Sequence, residues 1–245
     1  MVANMLLIRI YRGERKALYG VGEDRSTSRG IKTTMHLVLL GDSILDNGAY
    51  VEPAGSVLEQ LQQEVGSSAQ VSLLARDGAL IAGTIEQLAR VPRGATHLVV
   101  SAGGNDALRH TGVLLERATS VAQALSKIEP VRDGFAKGYR AMLDTAAGLK
   151  LPIALCTIYD VQFDDPVQRR MSNLALGLLN DVITREAVRR RWPVIDLRVL
   201  FDARGDYANA IEPSAAGAGK IALTTAQIVR NHDFAGPSAF YGDAR

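Results

Sequence analysis

Five short apolar runs, at 37–40, 71–75, 98–101, 153–157 and 194–197, recur along the chain, and a stretch of helical character follows each of them. No other feature constrains the fold as much. A run of four or five residues that is apolar throughout suits a strand buried on both faces. The stretches 55–65, 82–91, 119–149 and 167–191, with 214–230 after the last strand, then read as helices. In the fourth, Leu174, Leu178, Ile183 and Val188 can share one broad face. Strand alternating with helix implies a parallel sheet, covered on both sides and joined by right-handed crossovers. The expectation is one α/β domain.

This pattern begins at Met35. Residues 1–34 carry seven basic residues against three acidic ones, several Gly and Ser, and little sustained periodicity. They read as a flexible or loosely docked extension to a domain spanning 35–245. Over the whole chain 28 Lys and Arg balance 26 Asp and Glu, a net charge of +2, which argues against nucleic acid as a partner. The single cysteine, Cys156, rules out a disulfide framework and lies in an apolar run, as a buried core thiol would. No apolar stretch reaches the roughly 18–20 residues a membrane span needs. The run Met5-Leu-Leu-Ile8 precedes Arg9, Arg12, Arg15 and Lys16, the reverse of signal-peptide order. A cytoplasmic protein with no membrane partner is expected, of undetermined oligomeric state.

In a parallel sheet, ligands bind where the carboxyl ends of strands lead into helices. After the first strand comes Gly41-Asp42-Ser43-Ile44-Leu45-Asp46-Asn47, after the second Arg76-Asp77-Gly78-Ala79, and after the third Ala102-Gly103-Gly104-Asn105-Asp106. Three successive strand ends therefore bring a hydroxyl, a glycine backbone and an Asn amide to one rim. Acyl transfer requires that set, a nucleophile beside hydrogen-bond donors.

These loops, in this order, resemble the blocks of the SGNH/GDSL hydrolase family, over a core from Met35 to about Arg230. The resemblance implies a three-layer α/β/α domain with a flavodoxin-like parallel sheet of about five strands. It also implies that Ser43 is the nucleophile, with the oxyanion held by the amides of Ser43 and Gly78 and the side chain of Asn105. The fourth block departs from the family. Pro213, Gly217, Ile221 and Ala222 stand at the family's offsets, but Glu212 takes the place of the catalytic His and Asn209 that of the Asp. The two changes fit each other: a Glu base needs a donor to orient it, and Asn209 can supply one where Asp would repel. The expected catalytic residues are thus Ser43, Glu212 and Asn209. Partial burial beside Ile211 and Pro213 would raise the basicity of Glu212.

Among the histidines, His36 and His97 begin strands at the wrong end of the sheet and His232 lies in the C-terminal tail. His110, five residues beyond Asn105, is the possible substitute base. Asp42 and Asp106 are expected to brace their loops, and Asp46 and Asn47 to orient substrate or cap a helix. No spacing suits a metal, and Gly217-Ala-Gly219-Lys220 lacks the Ser/Thr of a phosphate loop. Neither a metal nor any other cofactor is expected. The expected function is a serine esterase or acylhydrolase cleaving a small soluble ester. The alternatives are a non-catalytic ligand-binding relative that has lost its base, and a carbohydrate deacetylase. An aromatic content of 5% and no evident apolar lid point away from long-chain lipids.

Overall fold

A computed structural model describes residues 35–243; the extension expected over 1–34 lies outside the described residues. Strand β1 (Met35–Gly41) leads to α1 (Val57–Val65), β2 (Ala69–Leu73) to α2 (Ile81–Leu88), and β3 (His97–Ser101) to α3 (Gly104–Arg109) and α4 (Val121–Ala147). Then follow β4 (Ile153–Cys156), α5 (Pro166–Arg190), β5 (Val194–Ile195), α6 (Leu197–Leu200), α7 (Ala215–Asn231) and β6 (Phe240–Tyr241). The sheet is parallel throughout, in the order β2-β1-β3-β4-β5-β6. The sixth strand was not expected. It is two residues long; the Val194 N–H donates to the carbonyl of Ala239, just before it, and the Asp196 N–H to that of Tyr241, at 2.8 Å each.

Side chains of the central strands alternate between two cores, as the two-residue repeat of a strand dictates. Leu37 and Leu39 of β1, Val99 of β3 and Cys156 of β4 pack with α1 and α7 on one face. Val38, Leu40, Val100 and Leu155 pack with α2, α4 and α5 on the other. Burial of each such aliphatic side chain contributes about 1.5–3 kcal/mol, and burial of Cys156 pushes its thiol far above the ordinary range.

Helix α5 corrects one expectation. Asp165 caps its start, accepting from the N–H groups of Val167 and Gln168 at 2.7 and 2.9 Å, with Pro166 at the first helical position. Its buried face runs through Ser172, Leu176, Leu179, Ile183 and Ala187. Those spacings of four, three, four and four residues keep to one side of a helix. The set Leu174, Leu178, Ile183 and Val188 steps by five twice and drifts around the axis. Of these four, Ile183 alone is buried, and Leu174, Leu178 and Val188 are exposed.

Candidate active site

Strand β1 ends against β3 at Gly41, whose φ of +123° lies in the glycine-favouring region. A Cβ there would sit 1.5 Å from the carbonyl oxygen of Ser101, so the close approach itself requires glycine. From α2, the buried Gln87 accepts from the Gly41 N–H at 2.7 Å and donates to its carbonyl at 2.8 Å. Beyond this clamp the N–H groups of Leu45 and Asp46 turn back to the Asp42 carbonyl at 3.1 Å. Ser43 sits within that turn. Its Oγ donates to Oε1 of Glu212 at 3.2 Å, with Ser43 only 7% and Glu212 only 5% exposed.

Glu212 belongs to the loop between α6 and α7, where Tyr207 and Pro213 form an antiparallel bridge. Four consecutive carbonyls hold this loop. That of Ala210 accepts from the Gln162 N–H at 2.8 Å and that of Glu212 from the Ala208 N–H at 2.9 Å. That of Ile211 accepts from the Tyr159 hydroxyl at 2.6 Å and that of Pro213 from the Asn47 amide at 3.3 Å. The carboxylate is treated differently, because Oε2 is buried with no hydrogen-bond partner. Burial pushes the Glu212 carboxyl from 4.5 up to about 7; the Ser43 hydrogen bond opposes the rise and the charge of Asp77 adds to it. A carboxyl that titrates near neutrality is suited to exchanging a proton with a hydroxyl in contact with it.

The expected Asn209–Glu212 pairing is not formed. Asn209 is exposed, and its Oδ1 accepts from the Ile211 N–H two residues on at 2.9 Å. This is an Asx turn, a local bond that an Asn side chain makes in preference to a reach across the loop.

Bonds from side chains to backbone also join the remaining loops. The Asn105 amide donates to the Ala79 carbonyl at 3.1 Å, Asp106 accepts from the Ile81 N–H at 3.0 Å, and Asp46 accepts from the Asp77 N–H at 2.9 Å. Asn47, fully buried, accepts from the Val57 N–H at the start of α1. Gly78 takes a φ of +74°. Neither its N–H nor that of Ser43 donates to a backbone carbonyl among the described residues. Asp42 Oδ1 accepts from the Ile44 N–H and the Ser101 hydroxyl, at 3.3 and 3.2 Å. Burial raises the Asp42 carboxyl to about 7 against those two bonds, with repulsion from Glu212 adding to it. Burial likewise raises Asp106.

His110 is exposed at the end of α3, and the Ser43 hydroxyl is bonded to Glu212 rather than to it. His36, at the far end of β1, meets the Ser72 hydroxyl at 2.8 Å. Among the described residues no group of three or more His, Cys, Asp or Glu is placed to hold a metal ion, and no helix is long and apolar enough to cross a membrane. Sequence reasoning missed Gln87 and Tyr159 as supports of the site. A glutamine among the apolar positions Ile81, Ile85 and Leu88 was the available signal for the first.

From Ser43, Asn105 and Glu212 a cleft extends between the 3-10 turn Thr111–Leu115, α4 and α5. Val113, Leu114, Ile128, Val131, Leu176 and Leu179 are among its walls. The lining is mostly aliphatic, with Tyr159 and Phe163 from the loop before α5, and is drawn from separate elements, so no single apolar segment announced it.

A family model described as GDSL-like lipase/acylhydrolase matches residues 39–220. No curated protein matches the chain in sequence. Solved structures do resemble it in fold. A member of the lipolytic G-D-S-L family from Veillonella parvula is 16% identical with a TM-score of 0.60, over 81% of this chain and 98% of that one. An extracellular lipase from Streptomyces rimosus is 18% identical with a TM-score of 0.56, over 78% and 99%. The acetyl xylan esterase AlAXEase is 17% identical with a TM-score of 0.57, over 80% and 100%.

Proposed function

The chain belongs to the GDSL-like lipase/acylhydrolase family, and from that premise we propose that it is a serine esterase in which Glu212 does the proton transfer usually given to histidine. The observation that carries the reading is the 3.2 Å contact between the Ser43 hydroxyl and a carboxyl raised to about 7.

The Ser43 Oγ attacks the ester carbonyl carbon and its proton passes to Glu212 Oε1. The carbonyl oxygen takes up the negative charge. Among the described residues the N–H groups of Ser43 and Gly78 are free of backbone acceptors and, with the Asn105 amide, receive that charge. Collapse breaks the bond to the alcohol, which leaves with the proton from Glu212. Water then attacks the Ser43 acyl ester, giving its proton to Glu212. The acid departs as Ser43 recovers its hydrogen from the carboxyl. Asn209 has no part in this scheme, and His110 is not needed.

A serine-directed fluorophosphonate tests the reading. Stoichiometric labelling at Ser43, together with loss of ester hydrolysis in a folded Ser43→Ala variant, is the expected result. A folded protein that resists labelling and hydrolyses nothing would instead be the ligand-binding relative.

A further inference from the structure

The polar side chains along the cleft are mostly engaged elsewhere. Thr111 donates its hydroxyl to the Leu108 carbonyl at 2.9 Å, and Arg132 is paired with Asp133 and Asp181 at 3.3 and 3.5 Å. Ser172 and the exposed His110 are left. A sugar placed here would bury hydroxyls against Leu, Ile and Val with few partners, at a cost an alkyl chain does not incur. The apolar wall also continues outward. On α4, Val121 and Leu125 precede the lining residue Ile128 at helical spacing; on α5, Val167, Met171 and Leu174 lead to the lining residue Leu178 in the same way. Val121 is 78%, Leu174 68% and, in the 3-10 turn, Leu115 88% exposed.

We propose that this cleft is the acyl site and that it takes an unbranched aliphatic chain of medium length. The ester carbonyl lies at Ser43 and the chain runs between the 3-10 turn and α5. The proposal rests on the reading of Ser43 as nucleophile and adds the class of acid released. Lining positions on α5 span 172–179, a wall about 10 Å long at the rise of an α-helix. Ala175, small and half-buried, lies along that wall and leaves it open.

The full chain is assayed with p-nitrophenyl esters from acetate to dodecanoate. Each methylene that enters the cleft should raise kcat/KM about fourfold until the wall ends. In a folded Ala175→Trp variant, the ratio of octanoate to acetate kcat/KM should fall at least tenfold. Binding of free decanoate and butanoate to Ser43→Ala protein, followed by calorimetry, needs no turnover and adds no bulk to the cleft. Decanoate should bind at least a hundredfold tighter. That result upholds the acyl site even if the wild type hydrolyses no ester, in which case only the catalytic reading fails. A flat ester series with no preference for decanoate overturns the acyl site while leaving Ser43 its role.

Discussion

The Ser43 hydroxyl donates to Oε1 of Glu212 at 3.2 Å, across 169 positions of sequence. The other carboxylate oxygen, Oε2, is buried and unpartnered. A histidine base needs a second acceptor to hold its ring, and among the described residues the Glu212 side chain has no second partner. There the carboxyl is bonded by Ser43 alone, and its burial raises its basicity.

That basicity fixes a pH dependence. The folded carboxyl titrates at about 7 against an ordinary 4.5, so the folded state holds the proton more tightly than the unfolded chain. Its contribution to stability is therefore fully present below about 4.5 and is lost as the pH rises through about 7. At pH 8 the buried carboxylate costs roughly 3 kcal/mol. Glu212→Gln should lower kcat by about 10²–10⁴ and raise the melting temperature above the wild type at pH 8, with the gain shrinking toward pH 4. The wild-type kcat profile should show an acid limb near 7. Parallel stability curves for the two proteins would show that burial does not raise this group.

Asn209→Ala should change kcat less than about threefold and cost roughly 0.5–1.5 kcal/mol, the worth of one ordinary hydrogen bond, since its amide serves the Ile211 N–H at an exposed turn. A hundredfold loss of kcat with an unchanged melting curve would return Asn209 to the machinery.

Asn105→Ala should lower kcat by about 10²–10³ with a smaller change in KM, because a donor to the developing oxyanion acts in the transition state. Its bond to the Ala79 carbonyl holds the amide in place before substrate arrives. A rise in KM alone would place Asn105 on bound substrate instead.

Gln87→Leu should be among the most destabilising single changes in the chain. It strands the N–H of Gly41 in the core, at a cost of about 1–3 kcal/mol, and takes one of two donors from the Gly41 carbonyl, which keeps the Arg76 N–H at 3.0 Å. Gln87→Glu keeps an acceptor for the N–H and should fall between the two in urea denaturation. If the Leu variant matched the wild type, the clamp would not matter.

The alternation of apolar runs was enough to place β1 to β5 with α1, α2, α4, α5 and α7, but not the short α3 and α6, because a strand buried on both faces leaves an unbroken apolar run and a helix of four to six residues leaves no period. It could not reveal β6, whose two residues carry no period. The loops bearing Ser43, Gly78, Asn105 and Glu212 could be picked out as candidates because these residues lie in short contiguous motifs, and the fold brings Ser43 against Glu212. The orientation of Asn209 was not, since the same side chain could turn toward Glu212 or back to its own N–H neighbour. The roles of Gln87 and Tyr159, and the cleft between α4 and α5, arise from residues distant in sequence. Only the folded chain brings them together.

The loop carrying Glu212 is suspended by the carbonyls of residues 210–213, and among the described residues the side chain at 212 has no bond except the one from Ser43. Scaffold and reagent are therefore separable. The peptide groups form a socket held by bonds that do not involve the side chain at 212. Under the proposed esterase reading, such a socket would let a carboxylate be exchanged for an imidazole, and the working pH moved, without redrawing the architecture around Ser43.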